Sequence, residues 1–87
     1  MFKMGFLGYN EHMSFLFQII FRPEPEGGYT VIVPSLPGCI TYGETLDEAR
    51  VMAQEAITLY IETLQENNEE VVDDTNSFDA RLLVTVP

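Results

Sequence analysis

From Ser14 to Arg22 apolar and polar positions alternate: Phe15, Phe17, Ile19 and Phe21 fall on one side, and Leu16, Gln18 and Ile20 on the other. A period of two over this length predicts a first strand with one fully buried face. Pro23-Glu24-Pro25-Glu26-Gly27-Gly28 breaks the pattern and predicts a hairpin loop. Tyr29 to Pro34 and Cys39 to Tyr42 follow as second and third strands, the former rich in the β-branched and aromatic residues that suit a pleated surface. Pro34 has no ladder donor, so it is expected to end its strand or lie on an edge. Between the two strands, Pro37-Gly38 supplies a φ fixed near −65° and then a residue free to take positive φ, the chemistry of a type II turn. The three strands predict an antiparallel meander.

From Leu46 the period changes. Leu46, Ala49, Ala53, Ala56, Ile57, Tyr60 and Leu64 recur at three- and four-residue spacing, which predicts a helix over Leu46–Glu66 with these residues as its core stripe. Thr45 is placed to cap it, and Glu48 to close a capping box. Asp47 and Glu48 suit the positive end of the helix dipole. Asn67-Asn68 predicts the stop, because Asn tolerates the left-handed conformation. The polar, acidic stretch from Asn67 to Ala80 reads as a loop packed at one or two points. Arg81 to Val86 then alternates again, with Leu82, Val84 and Val86 on one face, and predicts a fourth strand. Its link to the third strand runs through the helix, so a parallel placement with a right-handed crossover is expected.

The expected fold is therefore α+β: a two-layer βββαβ arrangement with a mixed four-stranded sheet and one long helix on one face. One sheet face, carrying Leu16, Ile20, Ile32, Ile40 and Leu83, has no helix to cover it. A second subunit or a partner protein is expected there, which makes a homo-oligomer the expected state. The alternative is that residues 1–12 and the 67–80 loop fold over it. Residues 1–13 read as a flexible N-terminal extension and residues 14–87 as a single domain.

Composition changes this picture in two respects. A chain of 87 residues forms one domain and buries roughly 60–65% of its unfolded surface, which favours association as a source of stability. Against 14 acidic residues there are four basic ones, a formal net charge of −10. Such a surface repels a phosphate backbone and attracts a basic protein. Solubility alone is the other reading of that charge. A single Cys excludes an intrachain disulfide and fits a reducing, cytoplasmic setting. No segment approaches the roughly 20 apolar residues that span a bilayer.

Candidate chemistry is sparse. His12 is the sole histidine, lies in the extension and has no second His for a metal site or triad. Cys39 enters a strand after a turn, where Cys behaves as a small buried hydrophobe, and it lacks an activating base. Glu69-Glu70 and Asp73-Asp74 lack the alternating ligand spacing of a calcium loop and read as solvated surface. Neither a catalytic residue, a cofactor site nor a metal site is expected.

The run Y-x-V-x-V-P-x-L-P-G-C-x-T-x-G-x-T-x-x-E-A, carried by Tyr29, Pro34, Leu36, Pro37, Gly38, Cys39, Thr41, Gly43, Thr45, Glu48 and Ala49, resembles the N-terminal domain of HicB-type antitoxins and their stand-alone relatives. The likeness extends more loosely over residues 14–87. It implies a truncated RNase H-like fold, although the first strand lacks the carboxylate on which a two-metal site of that fold depends. It also implies a partner, a small basic HicA-like toxin with a double-stranded-RNA-binding-like fold and a catalytic histidine, whose active site the antitoxin masks. Acidic residues at the two ends of the helix are the candidates for meeting it: Glu44 and Asp47 at the entry, and Glu62, Glu66, Glu69 and Glu70 at the far end. Full-length HicB antitoxins continue into a DNA-binding domain, whereas this chain stops at Pro87, so direct nucleic-acid binding is not expected. The alternative implied by the stand-alone relatives is a homo-oligomeric structural or regulatory domain with no toxin partner.

Overall fold

The computed structural model describes residues 13–87; the extension expected at the N-terminus thus lies, for residues 1–12, outside the described residues. Three strands and a helix follow in order: β1 (Ile20–Pro23), β2 (Tyr29–Ile32), β3 (Ile40–Gly43) and α1 (Leu46–Glu66). The sheet is antiparallel throughout, in the order β1-β2-β3. In cross-strand register, Ile20 faces Ile32 and Ile32 faces Ile40; one step along, Phe21 faces Val31 and Val31 faces Thr41. Residues opposite one another share a face. The second row therefore points to α1, and the Ile20, Ile32, Ile40 row to the face without a helix.

The core lies where α1 crosses β2 and β3. Val31, Ala49 and Ala53 are fully enclosed, with Ile19, Phe21 and Tyr29 packed around them. Val33, Leu36 and Cys39 form an adjoining cluster against Phe17, Ile19, Ala56, Ile57 and Tyr60. Alanine at positions 49 and 53 keeps the helix close to the sheet. Gly43 carries this further: a Cβ there would sit 2.4 Å from the backbone nitrogen of Ala49 and 2.5 Å from its Cα. Leu46, expected in the core stripe, is instead exposed at the first position of the helix.

Both turns follow the expected chemistry. Glu24-Pro25-Glu26-Gly27 closes the first hairpin with a bond from the Gly27 N–H to the Glu24 carbonyl, and Gly27 and Gly28 both have positive φ. The β2–β3 link is a double turn with a proline at the second position of each half. The Leu36 N–H donates to the Val33 carbonyl, and the Cys39 N–H to the Leu36 carbonyl. Gly38 at φ +82° makes the second half type II. The Tyr60 hydroxyl donates to the Pro37 carbonyl at 2.9 Å and fastens the helix to this turn. No described residue lies within 4 Å of a Cβ built on Gly38, so among them backbone strain alone opposes a side chain there. Gly38→Val is expected to cost about 1–3 kcal/mol, read as a lowered melting temperature; an unchanged melting temperature would show that the turn can be rebuilt without positive φ.

The helix ends as its sequence predicts. Thr45 accepts from the Glu48 N–H at 3.0 Å, while the Glu48 carboxylate reaches past the cap residue to the Glu44 N–H at 3.0 Å. At the other end Asn68 takes φ +58°. The Asn68 N–H donates to the Gln65 carbonyl and the Glu69 N–H to the Leu64 carbonyl, a Schellman closure with Asn in the glycine position.

Two sequence expectations are corrected. First, the strand expected over residues 14–22 joins the ladder only from Ile20. Beyond Ile32, β2 turns away at Pro34, and the edge it vacates is filled from the 67–80 loop. The Leu16 N–H donates to an Asp73 carboxylate oxygen at 2.9 Å, the Gln18 N–H to an Asp74 carboxylate oxygen at 2.8 Å, and the Asp74 N–H to the Leu16 carbonyl at 2.8 Å. Asp74 also accepts from the Ser35 hydroxyl. Asp73 and Asp74, read from the sequence as solvated surface, are thus the clamp that holds the segment 14–19. Second, Arg81–Val86 does not form a fourth strand: the segment is exposed, with Leu82, Leu83, Val84 and Val86 all open to solvent. The described residues form a three-stranded sheet, without the fourth strand and parallel crossover expected of the mixed sheet, and the RNase H-like likeness is not borne out by them. The segment has a strand's periodicity, but no described residue pairs with it.

Candidate functional site

The acidic candidates split by position. Asp47, Glu62 and Glu66 lie on the outward face of α1 and are exposed. Their spacing of whole helical turns brings Glu55 into the same line, a residue the reading of two end clusters missed. Periodicity counted outward from Asp47, and not only along the core stripe, would have found it. The line runs some 28 Å along the helix at 1.5 Å per residue, and two exposed apolar side chains, Val51 and Leu59, interrupt the acids. A shallow depression of about 480 Å³ lies among Val51, Gln54, Glu55, Thr58, Leu59 and Glu62. The line thus combines acidic and apolar side chains on one exposed face.

Glu44, Glu69 and Glu70 do not lie on that face. Glu44 precedes the N-cap, and its backbone N–H is engaged by Glu48. It belongs to a second acidic group around Tyr42, at the end of the sheet. The Tyr42 hydroxyl donates to the Gly27 carbonyl at 3.0 Å, and its ring lies where a side chain on Gly28 would go. Desolvation by its neighbours, and then the negative charges of Glu44, Glu24, Glu48 and Glu26, push the Tyr42 phenol above its ordinary value near 10. Glu69 and Glu70 are exposed just beyond the Schellman closure. The candidates thus mark three places: the outward helix face, the Tyr42 end and the helix C-terminus.

The family-motif residues have structural positions. Tyr29 and Thr41 sit in the sheet, Leu36, Pro37, Gly38 and Cys39 in the double turn, Gly43, Thr45 and Glu48 at the helix entry, and Ala49 in the core. Pro34 opens the first half of the double turn and exits β2. Cys39 is buried, and that burial pushes its thiol up, away from the reactive thiolate. His12 lies outside the described residues. Asp73 is held below the usual carboxylate value by the Leu16 N–H, then by the Thr75 hydroxyl and N–H, consistent with its clamping role. No group of three His, Cys, Asp or Glu placed to hold a metal ion occurs among the described residues. No helix among them is long and apolar enough to cross a membrane.

These features coincide with a family. Residues 17–82 match the family described as HicB_like antitoxin of bacterial toxin-antitoxin system, and the chain belongs to it. It is 43% identical over 58 residues to a UPF0150 protein of Thermoplasma acidophilum, a stretch covering 67% of this chain and 84% of that protein. It is 36% identical over 55 residues to antitoxin HicB 1 of Photorhabdus laumondii, covering 63% of this chain and 36% of the relative. Against antitoxin HicB of Escherichia coli K12 it is 36% identical over 53 residues, covering 61% and 38%. The chain thus spans most of the short UPF0150 protein but well under half of the named antitoxins.

Proposed function

We propose that this chain is an antitoxin-type binding protein that neutralises a small, basic, RNA-cleaving HicA-like toxin by masking its active site. It acts in the cytoplasm, without catalysis, cofactor or direct contact with nucleic acid. The observation that carries this reading is the acidic line on the outward face of α1, on a chain of net charge −10 within an antitoxin family. A toxin that cleaves RNA must present positive charge where the phosphates bind. An acidic surface of matching extent competes for that charge and excludes RNA without chemistry of its own.

Rim charges act on encounter more than on residence. With a basic HicA-like toxin in stopped flow, association is expected to slow about tenfold between roughly 50 and 300 mM salt, as the screening length falls below ~10 Å. The double reversal Glu55→Lys/Glu62→Lys should flatten that dependence and leave the off-rate nearly unchanged. Reversal of Glu69 and Glu70 should leave the dependence intact. An association rate indifferent to salt and to all four reversals would assign the charge to solubility and remove the physical support for a toxin partner.

A second reading is supported by the lengths of the relatives and by the uncovered Ile20, Ile32, Ile40 row: a homo-oligomeric structural or regulatory domain with no toxin. Failure of the chain to protect RNA from the toxin, together with a stable assembly of the chain alone, would favour it.

A further inference from the structure

We propose that the segment Arg81–Val86 is a strand donated to a second copy of this chain, where it lies along the open edge of β1 and fills the groove between residues 13–19 and α1. Exchange is reciprocal, so the pair closes on a twofold axis. The proposal rests on the homo-oligomer part of the second reading above and is independent of any toxin.

The donor is a strand without a sheet. Leu82, Val84 and Val86 alternate with Leu83 and Thr85, and no backbone group from Phe78 onward is hydrogen-bonded among the described residues. Phe78 is 97% exposed, Leu82 87% and Leu83 94%. A segment with this periodicity, apolar on both faces and uncharged after Arg81, is poorly suited to remain in water. The segment after Arg81 carries no charge and so adds no repulsion of its own between two chains of −10.

The acceptor is defined by hydrogen-bond parity. The Glu24 N–H donates to the Gly28 carbonyl across the hairpin, and successive backbone N–H groups of a strand point to opposite edges. The even-numbered residues of β1 therefore turn their N–H groups toward β2, and Leu16 and Gln18, continuing the same line, turn theirs to the same side, where Asp73 and Asp74 meet them. Phe15, Phe17, Ile19 and Phe21 turn theirs to the opposite edge, which no described residue occupies. Beside that edge α1, packed over β2 and β3, leaves a groove of about 880 Å³ where Phe15, Phe17, Ile19 and Ile57 lie beside the charged Asp47 and Arg50. One strand added there pairs the free backbone groups and covers these side chains together.

The chain's own tail is poorly placed to do this. The clamp fixes Asp73 and Asp74 on the β2 side of the segment 14–19, as the bond between Asp74 and Ser35 requires. The Ser77 N–H closes a turn on the Asp74 carbonyl, and the residues beyond it are exposed. To reach the open edge of its own β1 it would have to cross the segment it has just clamped. A second copy meets no such obstacle, and exchange of one element between identical chains creates a contact already complementary to the fold.

The test is light scattering with hydrogen exchange on the intact chain, beside Val84→Pro and a chain truncated after Asp79. The intact chain is expected at twice 9.9 kDa, with slow amides at both Leu82–Val86 and Phe15, Phe17 and Ile19. Dilution to monomer should release both sets together. Both variants should be monomeric with unchanged helical circular dichroism, and mixed labelled and unlabelled chains should give intermolecular contacts between Val84 and Phe17. A monomer at every concentration overturns the proposal and the homo-oligomer reading together. A truncated chain that stays dimeric overturns only the exchange and points to the Ile20, Ile32, Ile40 face. Slow tail amides in a monomer would show that the tail returns to its own sheet. Loss of groove protection on deleting residues 1–12, with the tail still free, would show that the extension fills the groove; either result overturns the proposal.

Discussion

Gly43→Ala is expected to lower stability by about 3 kcal/mol, the upper end of what overpacking one group costs. For a domain of this size that is a fall of roughly 12–24 °C in melting temperature. The added carbon would meet backbone, not a side chain able to swing aside: the Ala49 nitrogen at 2.4 Å and Cα at 2.5 Å. Relief requires moving the first turn of α1 away from β3. That movement pulls Ala49 off Val31, and it strains the Thr45–Glu48 capping bonds just before it. Thermal denaturation followed at 222 nm measures the cost. A fall of under about 2 °C, corresponding to less than 0.5 kcal/mol, would mean that helix and sheet separate freely at this end.

The second large effect concerns the clamp. Replacing both Asp73 and Asp74 with Ala removes the acceptors for the Leu16 and Gln18 N–H groups. Exchange at those two amides should accelerate on the order of 100-fold, as expected when a segment held by carboxylate bonds becomes free to open locally. The pH dependence has a definite sign. The folded-state value of Asp73 lies below its unfolded one, with the Leu16 N–H as the largest cause. Its stabilising contribution is therefore fully present above the unfolded value near ~3.9 and is lost as pH falls through the folded value. Below about pH 4 the native chain should lose stability more steeply than the double variant. Parallel acid profiles would show that the carboxylates are not what holds the segment.

Local chemistry made much of this fold legible. Thr45 with Glu48 and Asn67 with Asn68 set both helix ends because each signal acts within a few residues, and the same holds for Pro37-Gly38. Two features escaped for the opposite reason. The partners of Asp73 and Asp74 lie at Leu16 and Gln18, far away in the chain, and adjacent acidic residues carry no mark of which backbone they will meet. Arg81–Val86 shows a strand's period, but a period of two specifies a conformation and not a neighbour. Of the candidate surface, the individual acids could be named from the sequence. Their division into an outward helix line, a group around Tyr42 and a C-terminal pair needed the helix's rotation and the hairpin's register.

The clamp also imposes an order of events on folding. The two hairpins and the β3–α1 junction join residues close together in sequence, and Val31 against Ala49 and Ala53 completes a nucleus without residues beyond the helix. Joining Asp74 to Gln18 instead closes a loop across 56 positions. Loop-closure entropy rises with length and is met before the contact repays it, so long-range closures form late. The 14–19 segment should therefore settle only after the helix has docked. A growing chain would hold a finished hairpin-and-helix unit while the segment 14–19 still waited for two aspartates more than 50 positions further on.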